Sequence, residues 1–136
     1  MKFMRFISTI LILFLCVSLT GCGDGTVRVS GTVSFPDNSP LTVGAVIFAN
    51  DTYTNQSALN SSGRYSINVP PGNYKIFIGY ASVRDETFVP PPNDPDAVRH
   101  ISLVHSMFAS LDETPLICDI TRGGAHNFTV ENPEEQ

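Results

Sequence analysis

The 136 residues carry 13 Asp and Glu side chains against eight Lys and Arg, a net charge of −5, with ten glycines, ten prolines and no tryptophan. An acidic surface of this kind repels phosphate backbones and anionic headgroups, which argues against nucleic acid as a partner.

Lys2 and Arg5 open the chain with positive charge, and Phe6 to Leu19 follows as an apolar stretch interrupted only by Ser8, Thr9 and Ser18. That pattern reads as an export signal. The run is shorter than the roughly 20 apolar residues that a membrane-spanning helix needs.

Leu19, Thr20, Gly21 and Cys22 resemble the lipobox of bacterial lipoproteins. The resemblance implies that residues 1–21 are a cleaved signal peptide and that Cys22 becomes the lipidated first residue, anchoring the protein to a membrane of the cell envelope. More than one acyl chain makes such an anchor essentially permanent. Gly23 rather than an aspartate follows the cysteine, which favours the outer membrane, and residues 22–25 form a short linker. The mature chain of 115 residues suits one domain, with six basic against 13 acidic side chains. Cys16 leaves with the signal and Cys22 takes lipid, so Cys118 has no disulfide partner within the chain. Set among Leu116, Ile117 and Ile120, it reads as a small buried hydrophobe rather than a reactive thiol.

Thr26 to Phe35 alternates, with Val27, Val29, Gly31, Val33 and Phe35 on one face, and predicts a half-buried strand. After the turn cluster at Pro36 to Pro40, strands are predicted over Val43 to Asn50 and near Gln56 to Leu59. Ser61-Ser62-Gly63 turns into a strand at Arg64 to Val69, and Pro70-Pro71-Gly72 turns into another at Tyr74 to Tyr80. Tyr65 and Tyr74 are assigned to the core. Leu116 to Thr121 and His126 to Glu131 flank Gly123-Gly124, a pair suited to the positive φ angles of a hairpin loop. About seven short strands with Gly and Pro turns, and no long helical period, predict an all-β sandwich. Residues 81–114 lack clean alternation and are expected either as a long functional loop or as a stretch hiding an element near Val98 to Phe108. Residues 132–136 are an acidic tail.

The ordered set Val29-Ser30-Gly31-Thr32-Val33, Ser62-Gly63-Arg64-Tyr65 and Val69-Pro70-Pro71-Gly72-Asn73-Tyr74 resembles the carboxypeptidase regulatory-like family. Phe108, Thr114, Leu116, Gly123, Gly124, Phe128 and Val130 fit a narrower pattern of small bacterial lipoproteins of the same kind. The resemblance implies a seven-stranded transthyretin-like (prealbumin-like) sandwich over residues 26–131. It implies a generic binding or structural role, with no catalytic residue to transfer. His105-Ser106-Met107-Phe108 stands where that smaller group has Pro-x-Lys-Tyr.

No nucleophile with a positioned base can be assembled from the sequence, and no cofactor is implied. His100, His105 and His126 lack metal-ligand spacing, even with Asp94, Asp96 and Asp112 near the first two, and read as solvated residues. The C-terminal Tyr-Arg-Gly-Ser of the purine-ring-opening enzymes that share the fold is missing from Asn132 to Gln136. Lys75 with Asn127 does not make the case for a self-formed isopeptide bond. Tyr80, Phe88 and Phe108, with Tyr53, are the candidate contact aromatics, for an envelope protein first and for a glycan as the alternative. Pro90 to Pro92 reads as a stiffened loop ahead of a polyproline docking segment.

Overall fold

The computed structural model describes residues 25–133, so the lipobox Leu19, Thr20, Gly21 and Cys22 and the last three residues lie outside it. Ten short strands make up nearly all the regular structure: β1 Val27–Ser34, β2 Ala45–Ala49, β3 Thr54–Ala58, β4 Arg64–Val69, β5 Gly72–Gly79, β6 Ser82–Arg84, β7 His100–Ser102, β8 Ile117–Ile120, β9 Gly124–Ala125 and β10 Phe128–Thr129. A single 3-10 turn spans Ser106–Ala109.

The strands form two four-stranded sheets and a separate hairpin. In the first sheet β1 is central, antiparallel to β4 from Val27↔Val69 to Thr32↔Arg64, and parallel to β9 and β10 on its other side. The second sheet runs β3-β2-β5-β8, antiparallel throughout. β6 and β7 pair only with each other. This is a two-layer β-sandwich.

Period-two alternation places Val29 and Val33 of β1, Tyr65, Ile67 and Val69 of β4, and Tyr74, Ile76 and Ile78 of β5 in the core. Phe48 lies at its centre, its ring 5.8 Å from Tyr65, 6.0 Å from Tyr74 and 6.1 Å from Phe128. Aromatic pairs at such separations add to what burial alone contributes. All five residues of β2 are buried, because its outward face is covered as well as its inward one.

Two expectations are corrected by this arrangement. First, the strand count exceeds seven, because the last strand is interrupted at His126-Asn127 and the expected long loop contains a hairpin. Second, Gly123-Gly124 is no hairpin: β8 and β9 belong to different sheets, and neither glycine has positive φ. Gly123 is needed for close approach instead, since a Cβ there would lie 2.8 Å from the carbonyl oxygen of Arg28. The Pro-Pro-Gly turn is an arch from β4 in one sheet to β5 in the other. It is held by the Tyr74 hydroxyl donating to the Pro70 carbonyl at 2.5 Å.

The interrupted last strand has a side-chain cause. Asn127 Oδ1 accepts from the Thr32 amide at 2.9 Å and the Thr32 hydroxyl at 3.2 Å, occupying the position where a backbone carbonyl would continue the ladder. The neighbouring His126 carbonyl accepts from the Tyr65 hydroxyl at 2.6 Å and crosses directly over Gly31.

Candidate functional site

The region read as a long loop is organised around β6 and β7. Beyond Arg84↔His100 the ladder continues as the Asp85 amide donates to the Arg99 carbonyl at 2.8 Å. The Leu103 amide, donating to the Ala81 carbonyl at 2.8 Å, ties the base of the hairpin together. Pro91 and Asp94 carbonyls accept from Asp94 and Ala97 amides, folding the tip into successive turns. Backbone demand is therefore met locally, which is what lets the 13 residues between Asp85 and Arg99 remain mostly exposed.

Asp85 clamps this hairpin. Its carboxylate is buried and accepts from the Thr87 amide at 2.9 Å, the Thr87 hydroxyl at 2.6 Å and Arg99 Nε at 2.7 Å, with Arg99 Nη2 as a further donor. The Thr87 hydrogen bonds, then those from Arg99, hold its pKa down to about 2. The Arg99 guanidinium in turn lies over the Phe88 ring, 5.1 Å from its centroid. Arg84, Phe88, Pro90, Pro95, Asp96 and Arg99 contribute to the walls of a cavity of about 350 Å³ in the hairpin tip.

The candidate aromatics separate in this structure. Tyr80 is 76% exposed at the point where β5 gives way to β6, and its φ is +58°, in the left-handed region that a bulky residue rarely occupies. Phe88 is half-buried beneath Arg99. Phe108 is only 5% exposed and packs into the core from the 3-10 turn, which withdraws it from any contact surface. The alternation rule could not place Phe108, because it belongs to neither sheet. What sequence reading missed is Val83 and Ile101, cross-strand partners that are both exposed on the hairpin. A three-residue strand is too short to reveal its period.

Elsewhere the chemistry-bearing residues are committed to structure. Cys118 is buried with its sulfur 3.2 Å from His126 Nδ1, and burial, then the charge of Asp119, pushes its thiol pKa up. A thiol so placed is a poor nucleophile. His105 Nδ1 accepts from the Met107 amide at 3.2 Å and opens the 3-10 turn, while His100 lies on β7. Among the described residues no three His, Cys, Asp or Glu side chains gather as a metal site. Lys75 is on β5 of the second sheet, whereas Asn127 adjoins β10 in the first, so the two are not presented to one another as an isopeptide pair. No helix among the described residues is long and apolar enough to cross a membrane.

Fold and site together define a β-sandwich domain carrying a clamped accessory hairpin. No protein-family model and no curated protein sequence matches the chain. Among solved structures it is similar to a DUF3823 family protein from Parabacteroides merdae, at 12% identity and a TM-score of 0.44 over 82% of this chain and 48% of that one. A DUF3823 family protein from Bacteroides ovatus matches at 11% identity and a TM-score of 0.44, over 77% of this chain and 44% of that one. BcpA, the major pilin subunit of Bacillus cereus, matches at 10% identity and a TM-score of 0.49, over 79% and 30%. The chain thus spans less than half of each of these proteins. Likeness at this level carries no argument, and the sandwich assignment rests on the strand pairing above. The carboxypeptidase regulatory-like relationship remains a resemblance carried by the turns.

Proposed function

We propose that the mature protein, residues 22–136, is an envelope lipoprotein tethered through Cys22, whose non-catalytic sandwich presents the β6–β7 hairpin to a protein partner. The observation that carries this reading is Tyr80, a large aromatic kept exposed in a strained backbone conformation beside the paired apolar residues Val83 and Ile101. Strain of this kind costs about 1 kcal/mol or more and needs a reason outside folding, which a contact residue supplies.

The polarity of the sandwich supports the same reading. Val27, where the tether enters, pairs with Val69 at one pole, while β5 leads into the hairpin at the other. The eight residues of β1 separate the two poles by roughly 27 Å. An anchor at Cys22 therefore leaves the hairpin on the side away from the bilayer, open to the compartment. Glycan binding is the second reading, resting on Tyr80 and the polar cavity lined by Phe88, Asp96 and Arg99.

In-cell cross-linking of the tagged protein followed by mass spectrometry tests this function, with Cys22→Ser as the unanchored control. One recurrent envelope protein, captured by the native chain and lost with Tyr80→Ala and Val83→Ser, is the expected result. Retention on envelope polysaccharide without any captured protein would replace it with the glycan reading.

A further inference from the structure

A second surface lies at the opposite pole, and what it faces follows from the tether. Asp51, Asn73, Lys75, Leu111, Asp112 and Ile117 are among the residues that line a groove of about 470 Å³ on the second sheet. Ile117, directly paired with Lys75 in register, is 70% exposed, and Leu111 is 41% exposed. Two aliphatic side chains left open to water beside a lysine form an amphipathic surface that the sandwich itself does not use.

Strand register locates this groove. Gly72 begins β5 at the arch from Val69, and Val69 pairs with Val27, so Asn73 and Lys75 lie within one to three residues of the pole where the tether enters. At roughly 3.4 Å per residue that is about 10 Å or less. The five residue steps from Cys22 to Val27 reach at most about 18 Å when fully extended. A lipidated Cys22 thus holds this end of the molecule within reach of the headgroup layer, whatever path the linker takes.

We propose that the groove docks on the bilayer interface, with Ile117 and Leu111 entering the headgroup layer and the flanking charges matching a zwitterionic phospholipid. Lys75 faces the lipid phosphate, and Asp51 and Asp112 face its ammonium. The mixed charge of the groove selects this occupant over an anionic lipid surface, which the two carboxylates oppose. Tethering supplies headgroups at millimolar effective concentration, so a contact too weak to recruit a free domain is sufficient for an anchored one. The contact fixes the tilt of the sandwich and keeps the hairpin pointing outward. This inference rests on the lipidation of Cys22.

Amide hydrogen exchange of the full lipoprotein, purified from membranes and reconstituted into phosphatidylethanolamine vesicles with a minor fraction of phosphatidylglycerol, tests it. Exchange over residues 73–75 and 111–117 is expected to slow by about threefold or more relative to the Cys22→Ser protein mixed with the same vesicles. Ile117→Glu and Leu111→Glu are expected to abolish that difference while leaving exchange in β1, β4 and β5 beyond Lys75 unchanged, which controls for folding. Equal exchange in anchored and unanchored protein, or protection at the β6–β7 hairpin instead, overturns the proposal. The intact mass separates the two levels: an acylated protein without groove protection sinks the docking alone. An unacylated protein removes both the anchor and the docking built on it.

Discussion

Gly31 shows how one residue type can be required by a neighbour distant in sequence. A Cβ at this position would sit 1.9 Å from the carbonyl oxygen of His126, which is itself held by the Tyr65 hydroxyl. Backbone rather than a flexible side chain is in the way, so the last strand must move for any larger residue to fit. Gly31→Ala is therefore expected to destabilise the domain by about 3 kcal/mol, read from its urea midpoint, with a shift under about 1 kcal/mol refuting the close approach. Tyr80 presents the opposite case. Asparagine tolerates the left-handed region, so Tyr80→Asn is expected to raise stability by about 0.5–1 kcal/mol in thermal unfolding while reducing partner capture. A loss of stability would make Tyr80 a structural residue and remove the main support for the hairpin as a contact site.

At the scale of elements, the hairpin's side-chain support centres on an electrostatic clamp between Asp85 and Arg99. The folded pKa of Asp85, about 2, lies below the ordinary value of 3.8, so the carboxylate contributes stability that is present above pH 4 and lost as pH falls toward 2. Exchange protection within β6 and β7 is expected to collapse over that window, and Asp85→Asn should remove the pH dependence there. Unchanged protection down to pH 2 would show that the ion pair with Arg99 does not hold the hairpin. Because β6 and β7 pair only with each other, shortening the tip should spare the sandwich. Replacing residues 86–98 by Asn-Gly keeps the Asp85 and Arg99 backbone positions compatible with a two-residue turn. The calorimetric midpoint is expected to fall by less than about 5 °C. Loss of the cooperative transition would show that the tip is part of the fold.

At the scale of the molecule, the two poles have different chemistry. The pole at Val27 carries an amphipathic groove, and the other carries an exposed aromatic and a hairpin. In the proposed function, Cys22 is what orients these two poles. Intact-mass measurement is expected to find a diacylglyceryl and an amide-linked acyl chain on a protein beginning at Cys22, and Cys22→Ser should move the protein out of the membrane fraction. A native chain retaining residues 1–21, or a serine variant that stays membrane-bound, would dissolve the polarity inferred here. Phe108 of the 3-10 turn and Thr114 serve the fold rather than either pole. Phe108 fills the core, and the Thr114 hydroxyl donates to the Ile76 carbonyl at 2.5 Å beside β5.

Local pattern was sufficient for the strands. Val29, Val33, Tyr65, Ile67 and Val69 announce their buried faces because a strand in contact with one core must alternate, and that period is written in adjacent residues. The export signal and the cysteine that closes it are likewise read linearly, as expectations on residues that lie outside the described ones. Which strands share a sheet was not legible. Gly123-Gly124 and Pro70-Pro71-Gly72 have the composition of hairpin turns yet serve as arches, because a turn's residues set its local angles while the partner across it is chosen by packing between distant segments. The site lay mostly on that side of the divide: the exposure of Tyr80, the burial of Phe108 and the pairing of Val83 with Ile101 depend on which surfaces the two sheets leave uncovered. Only the folded chain decides that, since burial is a property of neighbours that sequence order does not place together.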